Sequence, residues 1–306
     1  YLITQNLDND SLSYKLLKRI YHFLRTTSET SDYAKAPKLN QKALNWLDQN
    51  YGGESLFFLW IHYMDVHYPF YPPDKYLIDN SISSKRAISL NGKMHEENTE
   101  LSDADINDLK TLYRGEVRYT DHYIGELLED MKKRDLFDET IFIITSDHGE
   151  LFGEHELFGH PPSGYEESFH VPFVMFGPGI AEDRQVDQMS SLLDLPPTVA
   201  DLSDLDIDPD WEGESLLKYI QNNREASKKG MYLGDADVLS YQTNEWRLTW
   251  WRTRDNPEHP EQEWELWKLP ECERIPLAEQ KTVVERFREK LREYVDRTNN
   301  QQELSK

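Results

Sequence analysis

The chain has 306 residues, 57 Asp and Glu against 34 Lys and Arg, and a formal charge of −23 at neutral pH. So acidic a surface repels nucleic-acid phosphates and argues against a DNA- or RNA-binding role; a site for an anion would need strong local positive charge, such as a metal ion. No run of about 18 apolar residues predicts a membrane-spanning helix, and the single cysteine, Cys272, excludes an internal disulfide and a thiolate metal cluster.

Residues 1 to 10 lack the basic start and apolar core of a signal peptide, and a soluble chain is expected, with the cytoplasm slightly favoured. Leu12, Leu16, Leu17, Ile20 and Leu24 recur at helical spacing and predict a helix over Ser11–Leu24. A second amphipathic helix is expected over Lys38–Gln49, with Ala43, Leu44 and Leu47 on one face, broken by Gly52-Gly53. The continuous apolar run Leu56–Ile61 reads as a strand buried on both faces of a parallel sheet. It ends in the polar residues His62, Asp65 and His67, and Pro69, Pro72 and Pro73 stiffen the loop beyond. Ile78–Leu101 reads as an irregular polar excursion.

Ser102 with Asp105 three residues on predicts the start of a long helix ending near Arg134. Its expected core face is Ile106, Leu109, Tyr113, Val117, Ile124, Leu127, Leu128 and Met131. Thr140–Thr145 is a second buried strand, expected to lie parallel to the first because a long helix separates them. A third run, Val171–Phe176, is closed by Gly177-Pro178-Gly179. After Asp201 short aromatic segments around Tyr232, Val238, Tyr241, Trp246, Leu248, Trp250 and Trp251, and then Glu265–Leu269, predict antiparallel strands. Thr282–Val295 closes the chain as a helix with Val283, Val284, Phe287, Leu291, Tyr294 and Val295 inward. The expected fold class is α/β: a mostly parallel sheet flanked by helices, in residues 1–205, followed by a small α+β subdomain in 206–306.

Ser146-Asp147-His148-Gly149-Glu150 comes directly after a strand, where ligands of open α/β sheets bind. A carboxylate and an imidazole side by side suit a divalent cation such as Mn, Zn or Ca, with Ca favouring all-oxygen ligands. Taken alone, the segment fits equally a turn in which Asp147 caps the next few residues. His155 and His160 lie downstream in a Gly-containing loop, where one of them is a candidate substrate contact or proton donor. Asp65 and His67 end the first strand and are expected on the same rim as Asp147 and His148.

The stretch from Phe57 through His62-Tyr63-Met64-Asp65-Val66-His67 to Phe70 resembles the sulfatase family of the alkaline phosphatase superfamily. So do Tyr113–Gly125 with Asp121, Thr145–His155 with Gly159-His160, Val171-Pro172-Phe173, Leu193–Thr198, Gly213–Leu217 and Trp264–Leu269. The resemblance runs in order from about Ala43 to the last helix and implies an alkaline-phosphatase-like fold. It implies a hydrolase of small-molecule or glycan sulfate esters, with phosphate or phosphonate esters, or a non-catalytic homologue, as alternatives. It implies Asp147 and His148 as metal ligands, with His148 standing where many members carry Asn. It implies His67 as a catalytic, substrate-contacting residue that protonates the leaving group, and His160 as a second such contact where Lys is common. The family's Cys/Ser-x-Pro-x-Arg nucleophile segment and its early acidic metal pair have no counterpart in these 306 residues. The resemblance would place both before residue 1, and leads to the expectation of an N-terminally truncated member whose sheet has an open edge. Cys272, in Pro270-Glu271-Cys272-Glu273, is expected to be structural or incidental.

Overall fold

The structure, a computed structural model, describes residues 33–51, 56–78, 82–94, 100–161, 163–187, 189–222, 230–234, 237–252 and 263–304. The helix expected over Ser11–Leu24 and the break at Gly52-Gly53 lie outside the described residues. The chain forms two compact units, Tyr1–Asp138 and Glu139–Lys306.

The regular elements described in the first unit are helices. Helix α1 (Ala36–Asn50) opens with Pro37, whose fixed φ and missing N–H suit a first turn. Its buried residues Ala36, Asn40, Ala43, Leu44 and Leu47 form one face, as expected. Helix α2 (Ser84–Met94) occupies the stretch expected to be irregular. Its buried positions Ala87, Leu90, Asn91 and Met94 have helical spacing, but one is polar, and that polarity hid the face.

Helix α3 (Asp103–Lys132) packs against both α1 and α2. It starts with the expected reciprocal cap: Ser102 Oγ accepts from Asp105 N–H, and the Asp105 carboxylate accepts from Ser102 N–H. The hydrogen bonds from the Ser102 hydroxyl and N–H, with Arg86 nearby, hold the Asp105 carboxyl well below the usual carboxylate range. The core face departs from the expected one. Leu109, Leu127 and Met131 are buried, but so are Leu112, Gly115, Glu116, Tyr119 and Thr120, while Val117 is exposed. The face includes Glu116 and Gly115 because the Pro72 loop presses on it: a Cβ at Gly115 would lie 2.6 Å from Pro72 Cγ.

Leu56–Ile61 joins no strand ladder among the described residues, and Leu56, Phe58 and Trp60 are exposed. The expectation of a strand buried on both faces there is therefore corrected.

The second unit carries the sheets. Strand β1 (Phe142–Thr145) pairs antiparallel with β4 (Phe173–Phe176), in register Phe142 with Phe176. Between them β2 (Leu151–Phe152) pairs antiparallel with β3 (Phe158–Gly159), and the short helix α4 (Glu166–Phe169) comes next. Every ladder among the described residues is antiparallel, so the expected parallel pairing is absent from them. Helices α5 (Leu195–Leu202) and α6 (Leu217–Asn222) are tied by buried Asp194 and Thr198. Asp194 Oδ1 accepts from Glu214 N–H at 2.9 Å, and Thr198 Oγ1 accepts from Leu216 N–H at 2.9 Å.

The remainder is a five-stranded antiparallel meander, β5 (Met231–Gly234), β6 (Val238–Gln242), β7 (Trp246–Trp251), β8 (Trp264–Lys268) and β9 (Glu273–Ile275), covered by helix α7 (Lys281–Leu304). Strand residues alternate faces. Leu239, Leu248, Trp264 and Leu266 meet Val284, Phe287 and Leu291 of α7, with Val283, Tyr294 and Val295 at the margin, as expected. Val238, Trp251 and Trp267 point the other way and pack on Tyr165. Among the described residues no helix is long and apolar enough to cross a membrane.

Candidate active site

The segment that carries the site in the second unit begins where β1 ends. Residues Ser146 to Glu150 cross from β1 to β2, and the crossing is held at two points. Ser146 Oγ donates to the His148 carbonyl at 2.8 Å, and Gly149 N–H donates to the Ser168 carbonyl at 2.7 Å. A Cβ at position 149 would overlap the Glu167 carbonyl oxygen, so this close approach requires glycine.

The hairpin beyond explains which side chains meet. Strands β2 and β3 pair Leu151 with Gly159 and Phe152 with Phe158. One step outward in that register, 150 faces 160, and 148 becomes the diagonal neighbour of 160 on the same face. The side chains obey that register. His160 Nδ1 contacts Glu150 Oε2 at 3.1 Å, and the His148 and His160 rings stack with centroids 4.2 Å apart. The Glu150 side chain is 7% exposed, and its Oε1 has no hydrogen-bond partner among the described residues. One potential ligand atom from each of His148, Glu150 and His160 lies within 4.8 Å of the other two.

Asp147 stands beside this group. Its Oδ1 accepts from His148 N–H at 3.0 Å, which is the turn-capping role, and lies 3.8 Å from His148 Nε2. That separation is too long for a hydrogen bond, but a cation held at about 2.0–2.3 Å from each atom would bridge it. The capping and ligand readings of Asp147 are thus compatible.

The ring tautomers are set by the partners, because carbonyls and carboxylates only accept. His148 Nδ1–H donates to the Gly149 carbonyl at 2.8 Å, His160 Nδ1–H to Glu150, and His67 Nδ1–H to the Tyr68 carbonyl at 2.6 Å. In each neutral ring the lone pair is then on Nε2. An imidazole whose Nδ1–H is anchored in this way is the usual form of a metal ligand or proton carrier.

His67 belongs to the first unit, whereas Asp147, His148 and His160 come together in the second. Its loop is clamped by residues that the sequence did not single out. Asn91 of α2 accepts from Phe70 N–H at 2.8 Å and donates to the Phe70 carbonyl at 2.9 Å. Glu116 of α3 accepts from Tyr71 N–H at 2.8 Å. Helical spacing across 87, 90, 91 and 94 was the available signal for Asn91; for Glu116 there was none. Asp65, expected on a rim, is instead fully buried, with Lys35 Nζ 3.7 Å from its Oδ1. Its carboxyl is pushed up by burial against the opposing pull of Lys35.

His155 is drawn away from the cluster. Its ring lies flat on Tyr165, centroids 3.6 Å apart, edge-on to Trp267. It helps line a separate cavity of about 340 Å³ with Glu166, Arg247 and Cys272. Burial, then the Glu166 charge, push the Cys272 thiol up, which suppresses the thiolate.

A family model described as Sulfatase matches residues 6–205. Arylsulfatase K of Mus musculus is 38% identical over 123 residues, which is 40% of this chain and 22% of that protein. Arylsulfatase K of Homo sapiens is 39% identical over 113 residues, 37% of this chain and 21% of that protein. The matches thus span about a fifth of the length of these curated relatives. Among solved structures, BT4656 in complex with its substrate D-glucosamine-2-N,6-O-disulfate superposes with a TM-score of 0.66 at 17% identity, covering 87% of this chain and 70% of that one. A phosphonate monoester hydrolase from Silicibacter pomeroyi gives 0.65 at 16% identity, covering 97% of this chain and 75% of that one. These neighbours establish the α/β alkaline-phosphatase-like fold.

Proposed function

The chain belongs to the sulfatase family, and on that premise we propose that the whole protein hydrolyses sulfate esters of small molecules or glycans with the help of a divalent metal ion. The observation that carries this reading is the Asp147–His148 pair, a carboxylate oxygen and an imidazole Nε2 3.8 Å apart with the ring's Nδ1 anchored. Sulfate is favoured over phosphonate because the relatives matched at 38% and 39% identity are arylsulfatases, whereas the phosphonate hydrolase shares 16%. The disulfated glucosamine bound by one structural neighbour supports a glycan among the candidate substrates.

In this reading Asp147 and His148 hold the cation. Bound there, a dication supplies positive charge that attracts the ester's anionic group and offsets charge growing on it. In so acidic a chain, that local charge is what an anionic substrate requires. His67 and His160 contact the transferred group. With Nδ1–H committed to Tyr68, a second proton on Nε2 makes His67 an imidazolium, which can pass that proton to the departing oxygen and return to the neutral ring. His160, its Nδ1–H held by Glu150, offsets negative charge when a second proton on Nε2 makes it an imidazolium, at a position where a permanent cation is common in the family. The boundary between a catalytic part, 1–205, and a C-terminal subdomain, 206–306, belongs to the same proposal. The matched range ending at 205 and the meander with α7 support it.

Metal analysis of the purified full-length protein tests this reading. Wild type should retain a divalent ion through dialysis, and Asp147→Ala should lose it while keeping the same circular dichroism. Equal metal content in the two would remove Asp147 from the ligand set.

A further inference from the structure

Asn91 is a polar side chain on the core face of α2, beside Leu90 and Met94, and is 1% exposed. A buried amide destabilises a fold unless its hydrogen bonds are made. Here they are made, mostly to the loop beyond His67. Asn91 Oδ1 accepts from Phe70 N–H at 2.8 Å, and Nδ2 donates to the Phe70 carbonyl at 2.9 Å, so Phe70 is pinned by both of its backbone polar groups. The other Nδ2 hydrogen goes to the Ala87 carbonyl at 2.9 Å, one helical turn back, and fixes the amide plane. The main-chain carbonyl of Asn91 is one of the last four of α2, which have no partner within a helix, and it accepts from the Tyr68 hydroxyl at 2.7 Å. Tyr68 is the residue whose own carbonyl accepts from His67 Nδ1–H at 2.6 Å.

We infer that Asn91 is a positioning residue for His67: it holds the Tyr68–Phe70 strap so that the Tyr68 carbonyl fixes the ring angle and tautomer with which His67 meets the ester. The inference rests on His67 being the proton donor to the leaving group, as proposed above. In that step the Nε2–H bond of the imidazolium breaks and an O–H bond forms on the leaving oxygen. That oxygen keeps the electron pair of the breaking S–O bond, and the ring returns to neutral. Such a transfer needs Nε2 within hydrogen-bond reach of the oxygen, and small misplacements of the ring are costly. The other end of the loop is held independently. The Phe70 ring is fully buried and edge-on to Tyr113 of α3, centroids 5.5 Å apart, and Glu116 accepts from Tyr71 N–H. Removing the Asn91 amide therefore frees the part of the strap nearest His67 while Tyr71 stays tied to α3. A residue that served packing alone would slow every ester alike, whereas one that acts through His67 slows the esters that need its proton.

Steady-state kinetics of the full-length protein on para-nitrophenyl sulfate and phenyl sulfate test this. Nitrophenolate departs readily without a proton and phenolate less so, which puts the loss of proton delivery on the phenyl ester. His67→Ala sets the reference and should lower kcat for phenyl sulfate at least ~10-fold more than for para-nitrophenyl sulfate. Asn91→Ala should show the same selectivity, in kcat rather than KM, and should add nothing in a His67→Ala background, because both changes remove one function. Tyr68→Phe removes only the hydroxyl tie to α2; it should give the same selectivity to a smaller degree, and it carries the test if Asn91→Ala does not fold. If the variants at Asn91 and Tyr68 slow both esters equally, leave both unchanged, or slow them further in the His67→Ala background, the inference is overturned while the reading of His67 stands. If His67→Ala itself shows no selectivity, the proton-donor reading falls and the inference falls with it.

Discussion

Glu116 is a carboxylate with no exposure at all, seated on α3 beneath the loop that comes after His67. Burial raises its pKa from 4.5 to about 7; Lys35 and the Tyr71 N–H oppose the rise, and Asp65 adds to it. The sign for stability depends on which state holds the proton. Between about pH 4.5 and 7 the folded chain keeps a proton that the unfolded chain has released, so stability falls as pH rises through that window and levels off above it. The size is on the order of 3 kcal/mol. Asp65, also raised by burial, acts in the same direction. Glu116→Gln keeps an acceptor for Tyr71 and has no charge to bury. Its melting temperature should therefore fall much less than that of wild type between about pH 5 and pH 8, and an equally steep fall would assign the titration to another group.

At this scale, residue types told part of the story. His67, Asp147, His148 and His160 stood out because carboxylates and imidazoles ended apolar runs or lay just beyond them. Glu150 and Asn91 did not, because their roles depend on a hairpin register and a helix face, neither of which is a property of the residue alone. Asp65 looked like part of the site for the same reason that His67 did, and only its burial beside Lys35 distinguishes the two.

Among the elements, α3 was legible at its ends and misjudged along its middle. Its start was set by Ser102 and Asp105, which satisfy each other's backbone N–H groups. Ser102→Ala removes one of these bonds and the hydroxyl contact to Asp105 Oδ2 at 2.8 Å. Loss of about 1 kcal/mol is expected, read as a lower denaturation midpoint at unchanged slope. A shift within error would mean that α3 is held by packing alone. The middle was misjudged because hydrophobic spacing favoured Val117 for the core, whereas the loop carrying Pro72 and Tyr71 selects Gly115 and Glu116 instead. The aromatic strands of the C-terminal sheet and the face of α7 were legible because one face of each is buried and apolar residues recur at periods of 2 and 3.6. The direction of β1 against β4 was not, since an apolar run carries no record of its partner's orientation.

For the whole molecule, membership in the sulfatase family is what gives the Asp147–His148 pair its proposed role as a metal site. Charge is consistent with that proposal: at a net charge of −23, a site for an anionic ester would need strong local positive charge, such as a bound cation. The central proposal is that the whole protein cleaves sulfate esters with Asp147, His148 and His67 in the roles given above. Sulfate released from an aryl sulfate by the full-length protein, measured by ion chromatography, tests it most directly. Wild type should release sulfate steadily, with Asp147→Ala and His67→Ala each slower by about 10²-fold or more. Wild type releasing none, or both variants matching its rate, would contradict the account.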